Sequence, residues 1–367
     1  NYEDLLGRAP VQLDMGEIRG YIDGKTVLVT GCGGSIGAEL CRQIVRFQPR
    51  MLILVDAGEA NLFHIELELH AELGADRCRA VLGRVQDTEL MDSVFHRYRP
   101  QVVFHAAAYK HVPMLEKNPW EAVSNNIIGS RVIMETARRY GVERFVLVST
   151  DKAVRPTNVM GASKRVTELL LHRFQQGAAT RFMAVRFGNV VGSSGSVIPV
   201  FRNQIEQGGP VTVTHPEVRR FFMTIPEAAQ LILQAGGMGQ GGEIFILEMG
   251  TPVKIVDMAR DLIRLSGREP DRDVKITFTG LRDGEKLYEE LITVGEGIVA
   301  TKHHKIMVLR DDSLRSAVPS GTTLAPAPER LLAELSAAAD RFDAAAIRQK
   351  LREIVPEYTP QENPSVL

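Results

Sequence analysis

Thr150, Asp151 and Lys152 set a hydroxyl, a carboxyl and an ammonium group at three successive positions, directly after an apolar run that ends at Ser149. A carboxyl and an amine side by side can divide the work of general acid and general base, provided their surroundings push their pKa values in suitable directions. Met160 and Lys164 follow four residues apart, so on a helix they share one face. The Met160 thioether has no ionisable proton and accepts hydrogen bonds only weakly. Proton transfer is excluded at that position. Either the segment is inert, or Thr150, Asp151 and Lys152 carry its proton chemistry.

Such groups need a scaffold that delivers them from strand ends. Short apolar runs rich in β-branched residues alternate with amphipathic stretches, the pattern of a parallel sheet with crossover helices. The spacing predicts strands over 26–30, 51–55, 80–82, 102–105, 145–149 and 182–186, and helices over 35–47, 61–73, 89–98, 119–140 and 161–176. Six strands with helices on both faces make a doubly wound, Rossmann-type α/β fold. Beyond Phe187 the pattern loosens into Gly, Ser and Pro turns, with a helical return at 226–235 and a strand at 243–247. The predicted organisation is a lead segment (1–24), a dinucleotide-binding domain (25–190 and 220–250), a smaller interleaved substrate lobe (191–219 and 251–300) and a C-terminal extension (301–367). The extension carries one predicted helix near 328–345, to which no chemistry is assigned.

The run Thr30-Gly31-Cys32-Gly33-Gly34-Ser35-Ile36-Gly37 joins the first predicted strand to the first helix, the context a dinucleotide fingerprint requires. Glycines let the backbone turn tightly and approach a pyrophosphate, while the helix N-terminus offers free N–H groups and a partial positive charge. Gly31, Gly34, Ser35, Ile36 and Gly37 are the expected contacts. Asp56 ends the second strand, where a carboxylate would bond the adenosine ribose hydroxyls and repel a 2′-phosphate. NAD is therefore favoured over NADP. The alternative is a strand-end Asp that caps the following helix.

A net charge of −1 gives no bulk attraction for nucleic acid or anionic membrane. Cys32, Cys41 and Cys78 are odd in number and lack metal-ligand spacing, so reduced thiols in a cytoplasmic setting and no metal site are expected. No apolar run approaches the roughly 18 residues of a membrane span. The chain opens on Asn1, which reads as a fragment or processed chain with room for a membrane segment upstream.

Further blocks are His105-Ala106-Ala107-Ala108-Tyr109-Lys110-His111-Val112-Pro113, Asn125-Asn126-Ile127-Ile128-Gly129, Arg186-Phe187-Gly188-Asn189-Val190 and Gly280-Leu281-Arg282-Asp283-Gly284-Glu285-Lys286-Leu287-Tyr288-Glu289-Glu290. With the glycine loop and residues 149–164, they cover most of 20–295. Together they resemble the extended short-chain dehydrogenase/reductases that act on nucleotide sugars. Within that superfamily the sequence is similar to the UDP-N-acetylglucosamine 4,6-dehydratases of bacterial polysaccharide and glycan biosynthesis, in their long, membrane-anchored branch. Met160 in place of the superfamily's Tyr is a feature of that branch.

The resemblance implies a redox-neutral lyase: oxidation at sugar C4 by bound NAD, loss of water across C5 and C6, and reduction at C6. It implies Asp151 as acid at the C6 hydroxyl and Lys152 as base at C5, with Thr150 bonding the C4 oxygen, Met160 packing near the nicotinamide and Lys164 bonding its ribose. Lys152 must then fall well below its ordinary pKa of about 10.4, and Asp151 must rise. Further implied cofactor contacts are Asp87, Ala106, Ala107 and Ala108. Implied substrate contacts are Lys110, His111, Asn126, Asn189, Ser196, Val197 and Thr212, with Arg219, Arg220 and Arg282 as candidates to clamp the diphosphate and Glu285 to accept from the uridine ribose. A UDP-sugar substrate, a homo-oligomeric assembly and a cytoplasmic domain of an inner-membrane protein complete the expectation. Arg84, Arg155 and Asp283 depart from the superfamily pattern. A 5-inverting dehydratase, a nucleotide-sugar C4 epimerase and a non-catalytic NAD-binding protein remain alternatives.

Overall fold

Runs of β-branched and aliphatic residues that bury on both faces build one nine-stranded sheet in the computed structural model, which describes residues 10–193, 195–292, 297–309 and 327–360. Its first six strands are β1 (Thr26–Thr30), β2 (Met51–Asp56), β3 (Cys78–Leu82), β4 (Val102–His105), β5 (Arg144–Val148) and β6 (Arg181–Arg186). The strand Ile244–Leu247 adds parallel to β6. Ile306–Leu309 and Ile298–Ala300 then extend that edge antiparallel. The order across the central part is β6-β5-β4-β1-β2-β3, so the sheet changes winding direction between β1 and β4. Open α/β sheets bind ligands at such a reversal, beyond the carboxyl ends of the strands.

Alternate strand residues face opposite sides of the sheet. Leu28, Ile53, Val103 and Phe145 enter one apolar core, while Val27, Val29, Leu52 and Phe104 enter the other. A third core, around Val191, Phe201, Val213 and Leu262, holds the smaller lobe. The lead segment contributes the helix Met15–Ile22, whose Tyr21 hydroxyl donates to the Leu233 carbonyl at 2.7 Å. Among the described residues no helix is long and apolar enough to cross a membrane.

Two stretches differ from expectation. The single helix predicted over 119–140 is a short turn (Pro119–Glu121), a π-helical segment (Ala122–Ile128) and an α-helix (Gly129–Arg139). The buried Asn126 explains the wider turn, since its side chain bonds the backbone of Tyr109 and the Ser163 hydroxyl instead of yielding to regular helix packing. The residues after 300, expected only as an extension, supply the sheet strand Ile306–Leu309 and two helices, Ala327–Asp340 and Ala344–Ile354, instead of one. The break falls at Phe342, with φ of 56°, before Asp343 caps the second helix.

That C-terminal part also supports the site. Thr359 N–H donates to the Pro156 carbonyl at 3.0 Å. Arg165 on the helix Val159–Gln175 donates to Glu357 at 2.8 Å. Both ties steady the helix that carries Met160 and Lys164.

Candidate active site

The ends of β1, β4, β5 and β6 open into a cleft of about 620 Å³ shared with the smaller lobe. Glycine is required in the first loop for two separate reasons. Gly31 has φ of 66°, and a Cβ there would stand 2.7 Å from the Ala107 backbone. A Cβ on Gly37 would collide with the Gly31 carbonyl. The helix Ser35–Val45 follows with Gly34 at its N-cap and no side-chain cap, leaving its first N–H groups directed at the cleft. Gly31, Gly34, Ser35, Ile36 and Gly37 all line it, as do Ala106 and Ala108. Gly37→Ala is expected to open this crossing, lowering the thermal midpoint by several degrees in a melting curve, because backbone and not a flexible side chain must move.

Asp56 accepts from the N–H of Gly33 and of Gly58, each at 2.8 Å, and so ties the glycine loop to the next helix start. Asp87 caps the helix Thr88–Tyr98 through the Leu90 N–H at 3.0 Å and stands outside the cleft lining. Ala107 buttresses Gly31 from behind, its N–H donating to the Thr30 hydroxyl at 3.3 Å. Behind them His105 lies between Thr30 and Ser130, and burial holds its pKa down at about 3, so it stays neutral.

Lys164 is buried, with Nζ donating to the Val148 carbonyl at 2.7 Å. Burial lowers it to about 8. Met160 lines the cleft with 3 % of its surface exposed, one helical turn from Lys164, as a residue that packs and moves no proton.

The short 3₁₀ turn Asp151–Ala153 is capped by Thr150 and closes over the end of β5. Asp151 Oδ1 accepts from the Thr150 hydroxyl at 2.9 Å and from Lys152 Nζ at 3.0 Å. Its Oδ2 is buried with no hydrogen-bond partner among the described residues. Burial raises the Asp151 carboxyl, with Glu289 adding to the rise and Lys152 opposing it. The depression expected for Lys152 is not found. Burial pulls it down, but the carboxylates of Asp151 and Glu289 outweigh that and raise it. Nζ also donates to Asn189 Oδ1 at 3.0 Å and stands 3.6 Å from Glu289 Oε1. Glu289 was not foreseen. It sits in the Gly280 to Glu290 block, far from Lys152 in sequence, and only the fold joins the two.

On the lobe side, Lys110 and His111 line the rim, each lowered first by burial, then by Lys152 and Lys110 respectively. Ser196 and Val197 open the helix Val197–Glu206 towards the cleft. The Ser196 hydroxyl is buried without a hydrogen-bond partner among the described residues. Thr212 is pinned by Gln204 at 2.8 Å and faces the same space. Glu285 and Arg282 line it too, with the Arg282 N–H donating to Glu285 Oε2 at 3.1 Å.

Two expected substrate contacts are otherwise engaged, and a third lies outside the cleft lining. Asn126 spends its amide on Tyr109, Asn125 and Ser163 and is 1 % exposed, so it holds the segment after β4 and does not meet a ligand. Arg219 does not line the cleft. Arg220 does, but its Nη atoms donate to the carbonyls of Arg219, Lys286 and Leu287 and to Glu285, so no free guanidinium fork awaits a diphosphate.

This strand order, with a glycine loop at the reversal and a lobe closing the cleft, defines a Rossmann-type protein of the extended short-chain dehydrogenase/reductase kind. The chain belongs to the polysaccharide biosynthesis protein family, whose model matches residues 27–311. It is 54% identical over 297 residues to the capsular polysaccharide biosynthesis protein CapD of Staphylococcus aureus, covering 80% of this chain and 49% of that protein. The chain thus spans about half the length of such curated relatives. A UDP-glucose 4-epimerase of Rickettsia canadensis is 34% identical over 280 residues, covering 74% of this chain and 79% of the epimerase. The X-ray structure of Pen from Bacillus thuringiensis superposes with a TM-score of 0.73 at 33% identity, covering 79% of this chain and 90% of that one.

Proposed function

We propose that the chain is an NAD-dependent 4,6-dehydratase of UDP-N-acetylglucosamine, serving polysaccharide biosynthesis. The observation that carries this reading is the buried Asp151 carboxylate 3.0 Å from the half-buried Lys152 ammonium, beside a methionine where a tyrosine base would otherwise stand. The family supports the pathway, and the glycine loop supports a dinucleotide. Gly31, Gly34, Ser35, Ile36 and Gly37 would hold its pyrophosphate, Asp56 its adenosine ribose and Lys164 its nicotinamide ribose. The loop fits such a group, because the space in front of the uncapped helix N-terminus lies open to the cleft. Bound NAD would supply reversible two-electron chemistry to the sugar.

The chain's own residues handle protons and placement. The uncapped N-terminus of the helix Val197–Glu206, with the unpartnered Ser196 hydroxyl, suits a diphosphate. Thr150, which lines the cleft, bonds the C4 oxygen and passes the C4 hydroxyl proton to the buried Asp151, to which its own hydroxyl donates. Asp151, raised by burial, keeps that proton until the C6 hydroxyl leaves as water. Lys152, raised in the resting site by Asp151 and Glu289, takes the C5 proton on Nζ only after its ammonium has given a proton to solvent. The division into dinucleotide domain and substrate lobe, a homo-oligomeric state and an upstream anchor at the cytoplasmic face belong to the same proposal.

Incubation with UDP-N-acetylglucosamine in deuterium oxide, followed by NMR, tests it. A UDP-4-keto-6-deoxy sugar with deuterium at C5 is the expected product, and its C5 configuration separates retaining from inverting dehydration. The epimerase relative favours a second reading, for which UDP-N-acetylgalactosamine without loss of water is the decisive product.

A further inference from the structure

As an ammonium, Lys152 Nζ carries three N–H bonds, and two of them are committed. One points to Asp151 Oδ1 and one to Asn189 Oδ1, each at 3.0 Å. Glu289 Oε1, at 3.6 Å, lies beyond a hydrogen bond. The resemblance gives Asn189 to the substrate, yet its carbonyl is spent on Lys152. An ammonium donates and cannot accept, so the Asn189 amide must turn its oxygen, and not its NH2 group, to Nζ. The main chain holds that amide in place. Asn189 N–H donates to the Phe221 carbonyl at 3.1 Å, and the strand Asn189–Val191 pairs parallel with Phe222–Thr224. Both Asn189 and Lys152 line the cleft.

We propose that Asn189 is a positioning residue for Lys152, fixing the direction of the amine lone pair, and is not a ligand of the substrate's diphosphate. The inference rests on the dehydratase reading. When Lys152 gives a proton to solvent, the two N–H bonds held by Asp151 and Asn189 stay where they are. Two fixed bonds on a tetrahedral nitrogen fix the remaining direction, so the lone pair faces the space from which solvent took the proton. That space is the cleft. Asp151 keeps an oxygen lone pair for Nζ even while it carries the C4 proton. With Asp151 as sole acceptor, the amine would turn about a single hydrogen bond and lose its aim at C5. A neutral carbonyl suits the task, since it holds Nζ without adding a third carboxylate to the two that already raise it.

The charges facing Lys152 are the carboxylates of Asp151 and Glu289 and the cations Arg220 and Lys110. Among the described residues, Asn189 is the one neutral group hydrogen-bonded to Nζ. Two substitutions therefore separate direction from ionisation. Asn189→Leu removes the acceptor, whereas Asn189→Asp keeps an oxygen in its place and adds a charge.

The amine is read by reductive methylation of Lys152 in substrate-free protein, followed by mass spectrometry. Turnover is read at the same pH, as release of dehydrated sugar from UDP-N-acetylglucosamine by the NAD-loaded protein. In Asn189→Leu the ammonium loses a stabilising bond, so labelling at pH 8 should be about tenfold faster than in wild type. Release should nonetheless fall about tenfold, because an amine gain of about tenfold is set against a loss of about 100-fold from a misdirected lone pair. In Asn189→Asp the added carboxylate should slow labelling about tenfold, and release should fall by the same factor because the direction is kept. Binding of UDP to NAD-loaded Asn189→Leu, measured by calorimetry, should equal wild type. Release that rises with labelling in Asn189→Leu, or weakened UDP binding with unchanged labelling, overturns the proposal. If the wild-type protein dehydrates no sugar, the functional reading falls and the labelling still decides the contact. Opposite shifts in the two variants then sustain the Lys152–Asn189 coupling, and unaltered labelling in both overturns it.

Discussion

Asp151→Asn should cut formation of dehydrated sugar by about 10³-fold while leaving the protein folded, a loss in the range of general acid–base catalysis. The amide oxygen of Asn can still accept from the Thr150 hydroxyl and Lys152 Nζ, now 2.9 and 3.0 Å from Oδ1. Geometry is therefore kept, and the lost property is the capacity to carry a proton from the C4 to the C6 hydroxyl. Both ketone formation and water loss should fail in single-turnover mixing. Stability should move the other way. Burial makes the ionised Asp151 carboxylate costly in the fold, so its pKa stands above the ordinary 3.8. For a carboxyl raised on folding, stability is lost as pH climbs from that ordinary value through the raised one. Asn carries no such cost, and the variant's thermal midpoint at pH 7 should equal or exceed wild type. Retained dehydration in a folded variant would remove Asp151 from the mechanism.

The parts of this protein that could be read from its sequence are those whose cause is local. The strands β1 and β4 match their predicted limits because apolar β-branched runs end at residues that turn the chain. The glycine loop was legible because backbone crossings at Gly31 and Gly37 exclude any side chain. Thr150, Asp151 and Lys152 were legible because they are contiguous. Causes that act across the sequence were not. The upward shift of Lys152 comes first from the adjacent Asp151, but its second source, Glu289, is delivered from the far end of the lobe. Asn126 and Arg220 have the right chemistry for a ligand, yet backbone carbonyls and neighbouring side chains consume their hydrogen bonds. The antiparallel edge strands Ile298–Ala300 and Ile306–Leu309 are too short to announce themselves by periodicity, and only pairing with Ile244–Leu247 and each other explains them.

Glu168→Gln should cost about 3–5 kcal/mol, because it leaves a buried guanidinium without its countercharge. Glu168 and Arg186 are both 0 % exposed in their side chains and meet through two bonds, Nε to Oε1 at 2.8 Å and Nη2 to Oε2 at 2.7 Å. Arg165 adds a third at 3.1 Å, and the Ser149 hydroxyl a fourth at 2.7 Å. Burial alone would raise this carboxyl, yet Arg186, Arg165 and Ser149 together bring it down from 4.5 to about 2. For a carboxyl depressed on folding, the stabilisation is full above the unfolded pKa and disappears as pH falls through the folded one. The gap between wild type and Glu168→Gln should thus be constant from pH 7 to about 5 and close between pH 4.5 and about 2, in denaturant titrations across that range. A gap below about 1 kcal/mol at pH 7 would mean that solvent reaches Arg186 in the variant. The same change reaches the site. Ser149 immediately precedes Thr150, and the Glu168 charge partly opposes the fall of Lys164 to about 8. Its removal should lower Lys164 further, so that labelling of Lys164 by a lysine-directed reagent in the folded variant begins at a lower pH than in wild type.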